Sequence, residues 1–202
     1  MSVTYMTDGM ESVRENIGRG RATVRNPSKE ARVLEIDSFR YLPRSLQRLY
    51  RDAVVAVVAQ TPFSPLGKPL NQSRIALLTT AGIWDRTRDV GFDYAREKRE
   101  PFWGDPSGRI IPAAIEGDNV GTGHLHINNL HIQSDFNVVL PLDRLRELVG
   151  QGVVGAIAKN HYSVMGYQGF PPHLAAWEHE TIPHFIGQLQ ADDVDAVVLA
   201  PV

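Results

Sequence analysis

DAVVLAPV, residues 195–202, is one charged residue followed by seven apolar ones, with no polar alternation. A strand solvated on one face alternates. An unbroken apolar run instead suits a strand covered on both faces, as in a parallel sheet flanked by helices. RIALLTTAG at 74–82 is a second such run, and it ends in small and hydroxylated residues, as a buried strand opening into a ligand-edge loop does.

Around these runs the helical period takes over. PRSLQRLYRDAVVAVVAQ (43–60) sets Leu46, Leu49, Tyr50, Ala53 and Val57 at helical spacing behind a proline. In DFNVVLPLDRLRELVGQGVVGAI (135–157) a strand is predicted first, then a helix with Pro141 at its first position, then a glycine turn and a short strand. Leu142, Leu145, Leu148 and Val149 give that helix its apolar face. GHLHI (123–127) alternates like a strand. Residues 171–193 read as helix, with Thr181 and Pro183 marking a break and restart. Strands interleaved with helices predict an α/β fold: a mostly parallel, Rossmann-like sheet with flanking helices.

Composition narrows the function classes. A chain of 202 residues with 43% hydrophobic and 22% charged residues can bury a core, which excludes a disordered tail. Residues 1–51 carry ten Lys/Arg against six Asp/Glu, and residues 52–202 eleven against seventeen. That pattern makes the first 51 residues modestly basic and the rest acidic, without the basic stripe that nucleic-acid binding needs; the expected organisation is an N-terminal arm (1–40) and an α/β body (41–202). No run approaches the roughly 20 apolar residues of a membrane span. The N-terminus lacks the apolar core of a signal peptide, so the expectation is a cytoplasmic protein without membrane or nucleic-acid partners. There is no cysteine, so neither a thiolate nor Cys-ligated zinc is available within these residues. TPFSPLGKPL (61–70) reads as an extended connector. The charged stretch 84–109 keeps large aromatics, among them Trp84, Phe92, Phe102 and Trp103, so it is expected to be a packed loop and the seat of substrate specificity.

Four places could carry chemistry. On a strand, His124 and His126 of GHLHINNLHIQSD would share a face, and with Asp135 they could ligate a divalent metal; the simpler reading is two histidines bonded to neighbouring loops. Thr79, Thr80 and Gly82 at the strand end could hold a carboxylate or oxyanion, or merely cap backbone groups. Arg109 in FWGDPSGRIIP (102–112) could clamp a carboxylate, or stand in a solvated turn. His161 and Tyr162 in NHYSVMGY (160–167) could act as acid and base, or fill core.

Taken in order, PLGKPL…SRIALLTTAG, GDPSGRIIP, HLHI…DFNVVLPLDRLRELV, VGAIAKNHYSVMGY and DAVVLAPV resemble the selenoprotein B family over residues 62–202. This family comprises the selenoprotein B components of glycine, sarcosine and betaine reductases and the related subunit of D-proline reductase. The resemblance implies an oxidoreductase that cleaves a C–N or similar C–heteroatom bond of a small amino acid or betaine-like substrate. It implies a selenocysteine or cysteine directly after the segment resembling DAVVLAPV, so the sheet is expected to be incomplete at its C-terminal end. A UGA codon after Val202 would account for this; a deliberate cut and a naturally short relative are the alternatives. It further implies a pyruvoyl group on a partner subunit that holds the amine, and a thioredoxin-like dithiol donor, in a homo- or hetero-oligomer. On this reading Thr79, Thr80, Gly82 and His161 line the substrate, Arg109 contacts its carboxylate, and His124 and His126 deliver protons to the leaving amine. Two other readings stand beside it. One is a non-catalytic binding module lacking the nucleophile, and the other a metal-dependent hydrolase using His124, His126 and Asp135.

Overall fold

A computed structural model describes residues 2–3, 36–37, 42–52 and 64–202. The chain divides into two units, residues 1–61 and 62–202. In the first, strand β1 (Ser2–Val3) pairs antiparallel with β2 (Ile36–Asp37). Helix α1 (Arg44–Asp52) starts where the proline predicts, the Pro43 carbonyl accepting from the Leu46 and Gln47 amides at 2.9 and 3.0 Å. The remainder of the arm assigned to 1–40, and the predicted continuation of this helix, lie outside the described residues.

The second unit is built on β3 (Arg74–Thr79). Its side chains alternate between two cores. Ile75 and Leu77 join Ile83, Ile111, Leu140, Leu142, Leu145 and Val154 on one face, while Ala76 and Leu78 join Tyr162, Val164 and Phe185 on the other. Both faces are covered, which is why RIALL carries no polar alternation.

Strand β4 (Trp84–Asp85) pairs antiparallel with β6 (Val120–Gly121), and helix α2 (Tyr94–Arg99) lies between them in sequence. Strand β5 (Gly108–Pro112) follows α2. Helices α3 (Asn129–Ser134) and α4 (Leu142–Gly150) supply Ile132, Leu142 and Leu145 to the first core. Strands β7 (Ala156–Ile157) and β8 (Asn160–Val164) run parallel to the two halves of β3. Helix α5 (Ile182–Ala191) packs Phe185 into the second core, and β9 (Ala196–Ala200) returns parallel to β3, from Ile75↔Ala196 to Thr79↔Ala200. The α/β reading therefore holds, but the sheet is mixed, because β5 pairs antiparallel with β8.

Several expectations fail for local reasons. Residues 123–127 form no strand, because side chains take the backbone groups a ladder would need. Asn129 brackets the His124 peptide, its Oδ1 accepting from the His124 amide at 3.0 Å and its Nδ2 donating to the His124 carbonyl at 2.8 Å. The predicted strand at 135–140 contains a 3-10 turn, Phe136–Val138, capped by Asp135. Pro141 sits at the N-cap of α4 rather than at its first position. The break at Thr181–Pro183 is a π-turn, Trp177–Thr181, running directly into α5. Pro183 has no N–H to bond four residues back, and a local widening of the helix accommodates that loss. Finally, β9 is not covered on both faces: Val198 is 48% exposed and Leu199 67%.

Candidate functional site at the carboxyl edge of the sheet

Strands β3, β8 and β9 run in one direction, so their carboxyl ends share one edge, the side where open α/β sheets bind ligands. Antiparallel β5 brings its amino end, and the turn before it, to the same edge. Backbone bonds continue past the strands: the Gly166 amide donates to the Thr80 carbonyl at 2.9 Å, and the Gly82 amide to the Val164 carbonyl at 3.0 Å.

At this edge Thr80 is half-buried and its hydroxyl oxygen accepts from the Val202 amide at 2.8 Å, holding the end of β9 beside β3. The other strand-end candidates are engaged in the fold. The Thr79 hydroxyl is buried and accepts from the Ala81 amide at 3.2 Å. Gly82 is buried at φ +61°, and a Cβ there would lie 2.5 Å from the Met165 Cε. The backbone, not a ligand, explains both residue types.

Arg109 is likewise committed rather than free to clamp a carboxylate. Its guanidinium donates to the carbonyls of Val90, Gly91 and Gly108 and to the Ser107 hydroxyl, and lies 4.3 Å over the Phe92 ring. It pins the 84–109 segment to the sheet. His161 is fully buried within the sheet, its Nδ1 accepting from the Leu77 amide at 3.0 Å. Burial is the main cause that lowers this imidazole to about 4, helped by Arg146 and opposed by Asp192. His161 and Tyr162, the latter stacked 4.6 Å from Phe185, fill core rather than line a ligand.

His124 and His126 do come together, though in a loop and in unequal settings. Their rings are 5.7 Å apart and close to perpendicular. His124 is 4% exposed, and its Nδ1 accepts from the His126 amide at 3.0 Å. Burial, then the neighbouring His126, lowers its pKa, which keeps Nδ1 an acceptor. The side chain of His126 is 53% exposed; its ring packs, tilted, 4.8 Å from that of Tyr167, which follows β8, and its Nε2 stands 3.5 Å from Glu97 Oε1. The Glu97 side chain is 1% exposed, and neither carboxyl oxygen has a hydrogen bond in good geometry. Burial raises its pKa, the adjacent His126 offsets part of that, and Asp105 adds to it. Asp105 itself accepts from the Asp93 and Ser107 amides and the Ser107 hydroxyl.

Asp135 does not join this group. It is exposed and caps the turn after α3, and hydrogen bonds from Asn137 hold its carboxyl below the usual range. Among the described residues, no group of three or more His, Cys, Asp or Glu is disposed to hold a metal ion. A depression of about 770 Å³ lies at the opposite, amino edge. It is lined by charges that already pair with one another, such as Lys68 with Asp195 at 2.8 Å, so it offers less chemistry than the carboxyl edge. Sequence reasoning passed over Glu97 because it sits in the run YAREKR, where every charge reads as solvated. The one available signal was Asp93, an N-cap four residues earlier, which marks a helix whose inner face must be covered.

The family model for glycine/sarcosine/betaine reductase selenoprotein B matches residues 50–202. The chain belongs to that family. Over 151 residues it is 28% identical to the D-proline reductase subunit gamma of Acetoanaerobium sticklandii, covering 75% of this chain and 57% of that one. Over 143 residues it is 27% identical to the glycine reductase complex component B subunit gamma of Carboxydothermus hydrogenoformans, covering 69% of this chain and 30% of the relative. The alignments thus span about half, and about a third, of these two relatives. No solved structure matches the chain. Among the described residues no helix is long and apolar enough to cross a membrane.

Proposed function

We propose that this chain forms the substrate-facing sheet of a selenium- or dithiol-dependent reductase component, one that cleaves the C–N bond of a small amino acid or a betaine-like compound in the cytoplasm. The observation that carries this reading is the carboxyl edge itself, where the end of β9, anchored on the Thr80 hydroxyl, shares an edge with a half-exposed histidine. Family membership supplies the reaction class. None of the 202 residues is a cysteine, so these residues contribute binding, orientation and proton transfer. A selenocysteine or cysteine at the carboxyl end of the sheet, a pyruvoyl group on a partner subunit and a thioredoxin-like dithiol donor would supply the redox chemistry. The edge suits such a neighbour: Thr80 offers a hydroxyl there and His126 an exposed imidazole.

Within this reading His126 is the proton donor to the departing amine, and buried His124 positions it through the His126 amide. Co-expression with a pyruvoyl-bearing partner subunit, followed by a dithiothreitol-driven assay of glycine, sarcosine, betaine and D-proline, tests the proposal. Substrate-dependent amine release, or ring opening of D-proline, is the expected result. Tight binding of one of these without turnover would favour the binding module instead.

A further inference from the structure

Glu97 belongs to no part of the chemistry described above, yet it is among the most unusual groups in the molecule. A polar group shielded from water normally has at least one hydrogen-bond partner; Glu97 accepts none in good geometry. Nothing in α2 requires an acid at this position. The helix is capped by Asp93, which accepts from the Arg96 amide at 2.9 Å, and its other charges face water. Arg96 is occupied by Glu100 at 3.0 Å and by the Trp103 ring, and Lys98 and Arg99 are exposed. From other elements, two titratable groups act on the carboxyl: His126 from the 122–128 loop and Asp105 from the turn before β5. His126 Nε2 stands 3.5 Å from Glu97 Oε1, its ring lies 4.8 Å from the Tyr167 ring, and its backbone amide is tied to His124 Nδ1.

We propose that Glu97 and His126 form a proton-transfer dyad at the carboxyl edge, in which buried Glu97 is the positioning residue that holds and resupplies the proton of the exposed imidazole. The proposal rests on the reductase reading only for the identity of the group that receives the proton. As a C–N bond breaks, Nδ1–H of His126 gives its proton to the nitrogen that takes up the bonding pair. The Glu97 carboxyl O–H protonates Nε2, and Glu97 is left as a carboxylate that water reprotonates through the same ring. No electron leaves the dyad. Asp105 favours the loaded state, because a negative neighbour disfavours a second carboxylate.

The test is a histidine ring titration by NMR on the full chain, comparing wild type, Glu97→Gln and the exposed control Glu100→Gln. Two coupled groups titrate as a pair. In wild type and in E100Q the His126 ring resonance is expected to show two inflections, and in E97Q a single one. Identical curves in wild type and E97Q would overturn the dyad. Should E97Q fail to fold, the carboxyl resonance of Glu97 in carbon-13-labelled wild type is compared with that in His126→Gln. A change in its pH dependence supports the dyad and no change overturns it. The amine-release assay reads separately. Coupling without turnover keeps the dyad and removes the reductase, while turnover without coupling does the reverse.

Discussion

At the scale of single residues, most of the edge candidates turn out to serve the fold, and pH is the way to see it. His161 accepts from the Leu77 amide only while its ring is neutral, and its folded pKa is lowered from 6.5 to about 4. Between those values the unfolded chain binds a proton that the folded chain refuses, so stability is lost as the pH falls through that window. Burial of His124 lowers its pKa and acts in the same direction. Urea unfolding at pH 7.5 and pH 4.5 is expected to differ by up to roughly 3 kcal/mol, with His161→Gln removing most of the difference. Glu97 works against this trend. Its raised pKa means stability is lost as the pH climbs above 4.5 through the folded value, so E97Q should flatten the profile above pH 4.5. At Gly82 an alanine would combine a left-handed backbone with a Cβ 2.5 Å from Met165. Denaturant unfolding of Gly82→Ala should show a loss of about 2 kcal/mol or more. TTAG and NHYSV left both readings open, since a hydroxyl or imidazole that caps backbone reads the same as one that meets a ligand.

At the scale of elements, the long apolar runs were readable and the short polar ones were not. RIALL announced a strand covered on both faces, and PLDRLREL announced a helix, because in each several neighbouring residues repeat one physical requirement. GHLHI matched a strand's period, but one side chain, Asn129, satisfies both backbone groups of His124 and closes a loop instead. Helix α2 shows the same dependence on a single residue. Replacing Asp93 by Ala removes the acceptor for the Arg96 amide, and a loss of about 1 kcal/mol is expected in denaturant unfolding. Because Glu97 lies one turn further along, the variant should also loosen its contact with His126. The histidine ring titration then reports that as a partial return to a single inflection, where a purely structural cap would leave the ring signal unchanged.

At the scale of the whole molecule, β9 pairs with β3 on one side only, and among the described residues no strand pairs with its other side. Together with exposed Val198, Leu199 and Val202 this leaves an apolar strand edge, the feature that draws chains into association. Light scattering after size-exclusion chromatography should find the isolated chain forming concentration-dependent oligomers, and Leu199→Lys should move it toward monomer. A wild-type monomer at every concentration would remove that argument. The sequence by itself determined the fold class, the apolar strands and helices and the family, because each is a pattern repeated along the chain. Tertiary structure alone decided which strand lies at the edge, which histidine meets water, and that Glu97 is buried against it. Those properties depend on what packs opposite a residue, and the packing partners come from segments 20 to 120 positions away.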